Sequence, residues 1–402
     1  MHKLITSLKL NELGGLELLI AIYPILSAYS YGRFHLAIFL LIFIDIWLVL
    51  KNGIKKLHCI PLVLFSTYYI IHQFVKIAFL GVTQSFFVNS TIGSVVFILS
   101  LFIIVPNINF SKLEGAINLI SIFCIIGLLY HVFLMMGGNE ITPIKVPFMP
   151  TPKEEDSRVL EVFDRPVSFF MEPQSYVSYM LFPLFYALRR SNFIWFAIIA
   201  LSIVLSTSTT GLAMLLVMIV TFLVTGKTKR SLKVLIVVSS FALGVFFLNS
   251  PLASKGLDKA TNTDIETTSR TINGPMLALT MDAYTLPFGV PYANATDYCA
   301  KGGIDTSMII PDFEGNVFIS AFWNVLVFYG VIGLILFLSI YYSIYKKDKT
   351  IIPILGCVFV ALFTNPDLLG AIWASHLIYL LAYNNRKKEN HESININNTV
   401  CK

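Results

Sequence analysis

The chain has 402 residues, of which 56% are hydrophobic and only 13% are charged, and its formal net charge is +6. A soluble globular domain carries about 25% charged residues, so this composition excludes the soluble classes, and with them collagen-like, disordered and disulfide-scaffold chains. The 5 cysteines are scattered and form no Cys-x-x-Cys pair, so we expect no metal centre and no cofactor.

Apolar segments recur along the whole chain. A bilayer core needs about 20 apolar residues per helix, so the sequence predicts an all-α, polytopic integral membrane protein with about twelve transmembrane helices. The predicted spans are 14–31, 34–50, 59–80, 87–105, 116–136, 167–189, 193–205, 209–225, 231–250, 320–345, 351–363 and 368–383. The polar run 206–211 separates the seventh span from the eighth, because one helix over 193–225 would be about 50 Å long.

The basic residues predict the orientation of these spans. With the N terminus inside, most Lys and Arg residues fall in inner loops, which is the distribution typical of cytoplasmic loops. Two long loops, 137–166 and 251–319, then lie outside. We expect one membrane domain over 1–383 and a flexible cytoplasmic tail over 384–402.

Ionisable residues inside a span are costly, so they are candidates for function. His72, Lys76, His131 and Glu172 are predicted at similar depth near the outer side, which suggests a shared polar cavity that opens outward. The alternative for Lys76 and His131 is that each side chain simply reaches the outer interface. A carboxylate is too short to do so, which favours a functional role for Glu172.

The most distinctive local motif lies at 165–176, where Arg165 precedes a Glu-Pro pair at the start of a predicted span. One interpretation is structural, with Glu172 capping the helix N terminus. The other is functional, with the Glu172 carboxylate and the Arg165 guanidinium held near each other and facing the outer cavity.

Several motifs resemble, in order, those of the Wzy-type O-antigen polymerases, within the superfamily that includes the O-antigen ligases. The motifs are Glu-Pro-Gln-Ser at 172–175, Leu-Ser-Thr-Ser-Thr-Thr-Gly at 205–211, Ser-Arg at 269–270, Pro-Phe-Gly at 287–289, and Asn316 ahead of Gly330 and Gly333. The resemblance covers roughly 160–345, together with the predicted topology of twelve spans and two large periplasmic loops.

The resemblance implies a metal-independent glycosyltransferase that acts on the periplasmic face. A growing glycan would pass from undecaprenyl diphosphate to the sugar of a new lipid-linked repeat unit. The guanidinium groups of Arg165 and Arg270 would hold the diphosphate, because Arg binds phosphate oxygens bidentately. Asn316, Ser208, Lys76 and His131 are the expected substrate-binding residues.

A base must also take the proton of the acceptor hydroxyl, and the sequence leaves two candidates, Glu172 and Glu314. Glu172 has the alternative role of orienting Arg165. The chain departs from the family at two positions: Gly315 stands where the ligases have a His before the Asn, and Thr209 stands where the family often has an Arg. The first departure argues against a ligase.

Three other functions compete with a polymerase. A ligase would use the same chemistry with lipid A core as acceptor. A flippase or other transporter would typically show internal repeats and a polar midplane site, and the sequence shows neither. A membrane scaffold would not need Glu172 and Lys76 within its spans. The expected setting is the bacterial inner membrane, with lipid-linked oligosaccharides, membrane lipids and a chain-length regulator as candidate partners, and no nucleic acid.

Overall fold

The computed structural model describes residues 8–31, 34–82, 84–139, 141–144, 165–225, 265–312, 315–365 and 369–400. These residues are helical except for loops and one small hairpin, which pairs Ser30–Tyr31 with Phe34–His35. The prediction of an all-α chain is confirmed at this level.

The described helices are numbered in chain order. The N-terminal half contains α1 Gly15–Leu26, α2 Leu36–Asn52, α3 Ile60–Ala78, α4 Ser85–Ile104, α5 Phe110–Met136, α6 Pro173–Arg189, α7 Phe193–Leu205 and α8 Thr209–Thr225. The C-terminal half contains α9 Ile265–Leu279, α10 Thr285–Phe288, α11 Ala295–Lys301, α12 Ala321–Lys347, α13 Ile352–Thr364 and α14 Ala371–Val400.

Four helices in the described part of the chain are long and apolar enough to cross a membrane, judged by length and composition. They are Ile60–Ala78, Phe87–Asn107, Phe110–Met136 and Ala321–Lys347. Other apolar helices are shorter than a full span, so the predicted count of twelve spans is not confirmed. The ninth predicted span, 231–250, lies outside the described residues.

Helix α6 begins later than the sequence analysis expected. It starts at Pro173, so the predicted span from 167 is wrong at its N-terminal end. Proline is favoured in the first turn of a helix and disfavours helical backbone in the residue before it. Glu172 is therefore the extended residue that precedes the helix, with φ −137° and ψ 148°.

The polar run between α7 and α8 separates two helices, as predicted. Helix α7 ends at Leu205 and α8 begins at Thr209. Ser208 Oγ accepts a hydrogen bond from the Gly211 N–H at 3.1 Å, which satisfies one of the free donors at the start of α8.

Helix α12 is broken near its middle, which the predicted span 320–345 did not anticipate. Gly330 has φ 68° and ψ −175°, so two helical segments meet there. The break leaves carbonyl groups at the end of the first segment without partners inside the helix. Their partners come from α3 and from the segment after α10.

The helices pack in pairs that place the 265–320 segment against the long apolar helices. Helix α3 packs on α12, α2 on α4 and α1 on α5, while the short α10 also lies against α12. Helix α14 continues to Val400, so its backbone is helical over most of the predicted tail 384–402. The flexibility of that tail stays a prediction.

Candidate functional site

A cavity of about 820 Å³ lies between α3, α4, the first half of α12 and the segments around α11. Its lining combines amides, hydroxyls and aromatic rings. The described residues that line it include Tyr69, Gln73, Gln84, Phe87, Ser90, Thr91, Ser94, Asn294, Thr296, Asp297, Asn316, Asn324, Phe328 and Tyr329. A cavity of this size with convergent polar groups is the usual form of a small-ligand site.

One wall of the cavity is a buried polar cluster formed by Tyr69, Gln73, Thr91 and Tyr329, which we call the polar wall. Gln73 Nε2 donates to the hydroxyl oxygens of Tyr69 and Tyr329, each at 3.1 Å. Gln73 Oε1 has no hydrogen-bond partner among the described residues, and Thr91 Oγ1 has none at hydrogen-bond distance, although it interacts with the Tyr69 hydroxyl. The cluster therefore holds hydrogen-bonding capacity that the protein itself leaves unused.

The opposite wall carries the charged residue Asp297, at the start of α11. Its Oδ1 pairs with Lys301 Nζ at 2.7 Å and its Oδ2 accepts the Ala293 N–H at 3.3 Å. Burial acts to raise the pKa of Asp297, but the hydrogen bonds from Lys301 and Ala293 bring the pKa below its ordinary value. Asp297 is therefore a carboxylate at neutral pH, and its charge is neutralised locally.

Two glycines allow the 287–289 segment to dock on the break in α12. A Cβ atom at Gly330 would lie 2.5 Å from the Phe288 nitrogen, and one at Gly289 would lie 2.6 Å from the Tyr329 nitrogen. Real Cβ atoms essentially never approach so closely, so both positions require glycine for this backbone contact.

The carbonyl groups exposed by the break in α12 are satisfied from outside the helix. The Val290 N–H donates to the Val327 oxygen at 2.8 Å, and the Tyr68 hydroxyl donates to the Tyr329 oxygen at 2.7 Å. Lys76 Nζ donates to the oxygens of Phe328 and Tyr292, at 3.2 and 3.3 Å.

Lys76 therefore holds the end of the first helical segment of α12 in place. It is 2% exposed, and its ammonium lies 5.1 Å from the centroid of the Phe328 ring. A cation at the C-terminal end of a helical segment is favoured by the helix dipole. Lys76 does not line the cavity, but it fixes Phe328, which does. Its predicted role in substrate binding stays untested.

His72 fixes the same docking segment, because its Nε2 lies 2.7 Å from the Phe288 carbonyl oxygen. His72 and Lys76 thus both hold the backbone beside the break in α12. His131 lies elsewhere, against 167–168. None of His72, Lys76, His131 and Glu172 lines the described cavity, so the structure does not join these four residues around it.

His131 on α5 positions the segment that carries Arg165. Its Nδ1 accepts the N–H groups of Val167 and Ser168 at 3.3 and 3.1 Å, and the ring is 1% exposed. Ser168 has φ 59° and donates its hydroxyl to the Cys124 oxygen at 2.8 Å. This non-glycine residue is held in a left-handed conformation by contacts to α5.

Glu172 is half-buried and occupies the N-cap position of α6, but its side chain makes no capping hydrogen bond. No ion pair joins it to Arg165, which is half-buried and has other interactions. The two residues are seven positions apart on one loop, yet the structure does not pair them.

The remaining predicted catalytic residues are only partly described. The backbone of Arg270 belongs to α9, but its side chain is not among the described parts of the structure. Glu314 lies outside the described residues entirely. One turn after Arg270, the buried Asn273 donates to the Phe318 oxygen at 3.3 Å, and Phe318 lines the cavity. Helix α9 is thus tied to the cavity wall near Arg270.

The two predicted polar binding residues have different surroundings. Asn316 lines the cavity and its side-chain nitrogen donates to Asp312 at 3.2 Å. Ser208 is buried at the start of α8, where its hydroxyl caps the helix. Of the predicted site residues whose side chains the structure describes, Asn316 is the one that lines the cavity.

Sequence reasoning missed Gln73 and Thr91, because it searched the spans for ionisable residues only. Both are uncharged polar residues within helices that are otherwise strongly apolar. An amide or hydroxyl at such a position also needs a hydrogen-bond partner, so uncharged polar residues within apolar helices could have indicated this site.

No protein-family model matches the chain, and no curated protein matches it. Function is therefore inferred from the residues of this chain and from their geometry.

Proposed function

We propose that this protein is a membrane glycosyltransferase that polymerises lipid-linked oligosaccharides, as the Wzy-type O-antigen polymerases do. In this proposal it spans the bacterial inner membrane about twelve times with both termini in the cytoplasm. It transfers a growing surface glycan from undecaprenyl diphosphate to a lipid-linked repeat unit on the periplasmic face.

The observation that carries the proposal is the convergence of separate motifs on one cavity. Asn316 lines the cavity, the 287–289 segment docks on Gly330 at the break in α12, and Phe328 and Tyr329 form part of the lining. These segments carry two of the five motifs whose order in the sequence resembles the polymerases, Pro-Phe-Gly at 287–289 and Asn316 ahead of Gly330. Their meeting at one place supports a shared function.

The surroundings of the cavity also suit a substrate that is part lipid and part sugar. The cavity is bordered by α3, α4 and α12. Each of these helices includes or overlaps one of the segments that are long and apolar enough to cross a membrane. The lining itself is rich in amides and hydroxyls. A lipid-linked oligosaccharide can place its carrier along such helices and its polar sugars in the cavity.

The proposed reaction forms one glycosidic bond and breaks one bond between a sugar and a diphosphate. The acceptor hydroxyl attacks the anomeric carbon of the growing chain and passes its proton to Glu172 or Glu314. Undecaprenyl diphosphate leaves, with its new negative charge held by Arg165 and Arg270.

Deletion of the gene, followed by gel analysis of the surface glycan, tests the proposal. A polymerase deletion leaves single repeat units on lipid A, because ligation is intact. Loss of all glycan from lipid A while lipid-linked polymer accumulates would instead identify a ligase. Lipid-linked repeats trapped on the cytoplasmic side would identify a flippase, and unchanged long glycan ladders would refute all three functions.

A further inference from the structure

The polar wall of the cavity carries hydrogen-bonding groups that are buried and unsatisfied. Gln73 is 4% exposed and Thr91 is 8% exposed. Gln73 Oε1 nevertheless has no partner among the described residues, and Thr91 Oγ1 has none at hydrogen-bond distance, although it interacts with the Tyr69 hydroxyl. Buried polar groups almost always find a partner, because an unpaired one costs free energy. Two unpaired groups on one cavity wall therefore point to an occupant that pairs with them.

The Gln73 amide retains one unsatisfied end whichever way it is turned. Its nitrogen lies 3.1 Å from the hydroxyls of Tyr69 and Tyr329. A hydroxyl both donates and accepts, so exchanging the amide nitrogen and oxygen keeps both contacts and leaves the nitrogen unpaired instead. The occupant must accordingly offer a group that can donate or accept, as a sugar hydroxyl does.

The described lining of the cavity does not supply the cations that a diphosphate would need. Among the described residues that line it, Asp297 alone is charged, and Lys301 neutralises it from 2.7 Å. A diphosphate requires Arg, Lys or a metal ion close to its oxygens. Lys76 lies behind the wall, where its ammonium is committed to the oxygens of Phe328 and Tyr292. An uncharged polar ligand fits this environment.

We infer that the polar wall is the subsite for an uncharged sugar residue of the glycan, held by Gln73 and Thr91, and that the carrier diphosphate lies outside this cavity. The inference rests on the proposed function, since it assigns one part of that substrate to one place. Phe87 and Phe328 supply apolar lining for the C–H faces of the sugar ring. Arg165, which does not line the cavity, remains a candidate for the diphosphate.

Saturation-transfer NMR on the purified full-length protein in lipid nanodiscs tests the inference. The probes are a panel of neutral monosaccharides, including galactose and N-acetylglucosamine, and separately inorganic pyrophosphate. We expect at least one neutral sugar to bind the wild type. Thr91→Val and Gln73→Leu should weaken that binding about tenfold, the effect of losing one or two hydrogen bonds, and leave pyrophosphate binding unchanged.

Two controls separate a lost contact from a damaged fold. Thr91→Ser keeps the hydroxyl and should bind sugar like the wild type. Ser66→Ala removes a buried hydroxyl from α3, the helix that carries Gln73. The Ser66 hydroxyl donates to the Leu62 oxygen at 2.7 Å and Ser66 does not line the cavity, so this variant should also bind sugar normally. Because Thr91→Val preserves side-chain shape, this variant tests the inference even if Gln73→Leu fails to fold.

Three results would overturn the inference: no neutral sugar binds the wild type, both variants bind sugar undiminished, or both lose pyrophosphate binding. The proposed function fails by a different result, a deletion strain that still makes long glycans. Sugar binding that depends on Thr91 would stand in that case, and it would identify a sugar-binding membrane protein with another activity.

Discussion

The backbone of Gly330 lies directly against the Pro287 carbonyl group, and a Cβ atom at Gly330 would collide with that group and with the Phe288 nitrogen. The contact joins the middle of α12 to a segment more than forty residues earlier in the chain. Gly289 makes the reciprocal approach to the Phe328–Tyr329 peptide. This pair of close contacts sets the position of Phe328 and Tyr329 in the cavity wall.

Gly330→Ala should therefore destabilise the protein more than an equivalent change at an open site. Gly303 is the matched control, because its φ of 63° is close to the 68° of Gly330 but an added Cβ would meet nothing within 4 Å. Both variants carry the cost of a positive φ, and the ψ of −175° at Gly330 makes its conformation one that only glycine adopts readily, at a cost of about 1–3 kcal/mol for other residues. Gly330→Ala adds an overpacking cost of about 1–3 kcal/mol, seen as a lower Tm in detergent. Equal Tm values for the two variants would contradict a close contact between Gly330 and the 287–289 segment.

Lys76→Met should destabilise the protein because it leaves the buried oxygens of Phe328 and Tyr292 without their donor. An unsatisfied buried carbonyl costs about 1–3 kcal/mol. Lys347→Met is the matched control, since the exposed Lys347 donates to the His58 oxygen at 3.4 Å and water can replace it. Thermal unfolding of both variants checks the prediction. A Lys76→Met protein as stable as the wild type would show that these hydrogen bonds of Lys76 are not needed.

His131→Ala should shorten the glycans made in cells, because Val167 and Ser168 lose the acceptor that positions the loop carrying Arg165. His131→Asn retains an acceptor oxygen and should preserve part of the activity. His376→Ala is the control: His376 is also buried, and its Nε2 lies 3.1 Å from the Ser178 oxygen. It should lower stability and leave glycan length unchanged. Equal glycan loss in the His131→Ala and His376→Ala proteins would indicate a general folding defect.

Arg165→Ala and Arg270→Ala should each abolish long glycan chains while the protein still accumulates in the membrane. Each removes a guanidinium proposed to hold the leaving diphosphate. Arg189→Ala removes an exposed arginine at the end of α6 and should leave the glycan ladder intact. Gel analysis of the glycan and immunoblots of membranes measure both properties. A normal ladder from either of the first two variants would exclude that arginine.

Glu172→Gln separates the two candidate bases. The change preserves shape and removes the ability to accept a proton, so a catalytic Glu172 predicts loss of polymerisation with normal protein levels. Glu314→Gln is the parallel variant. Full activity of Glu172→Gln would exclude Glu172 as the base and leave Glu314 as the remaining candidate.

Hydropathy predicted where most helices lie, because the apolar stretches are long and the polar breaks between them are sharp. The turn at 206–208 and the separation of α7 from α8 follow directly from sequence. The start of α6 could also be predicted from the sequence, since Pro173 favours the first helical turn and disfavours helical backbone at Glu172. Hydropathy alone extends the predicted span back to 167 and does not show the helix start that this proline indicates.

The break at Gly330 and the cavity were not predictable in the same way. A glycine within an apolar span is common, and nothing in the helix sequence marks Gly330 for a positive φ or for contact with the 287–289 segment. The contacts of Gln73 with Tyr329 and of His131 with Ser168 join residues far apart in sequence. Periodicity within one helix carries no information on such partners.

The most direct test of the central claim is polymerisation by the purified protein. Lipid-linked repeat units isolated from the deletion strain are incubated with the protein in liposomes, and the products are separated by size. We predict a ladder of longer lipid-linked glycans, with one undecaprenyl diphosphate released for each new bond, and no ladder with Arg270→Ala. Repeat units that remain single in the presence of folded wild-type protein would contradict a polymerase.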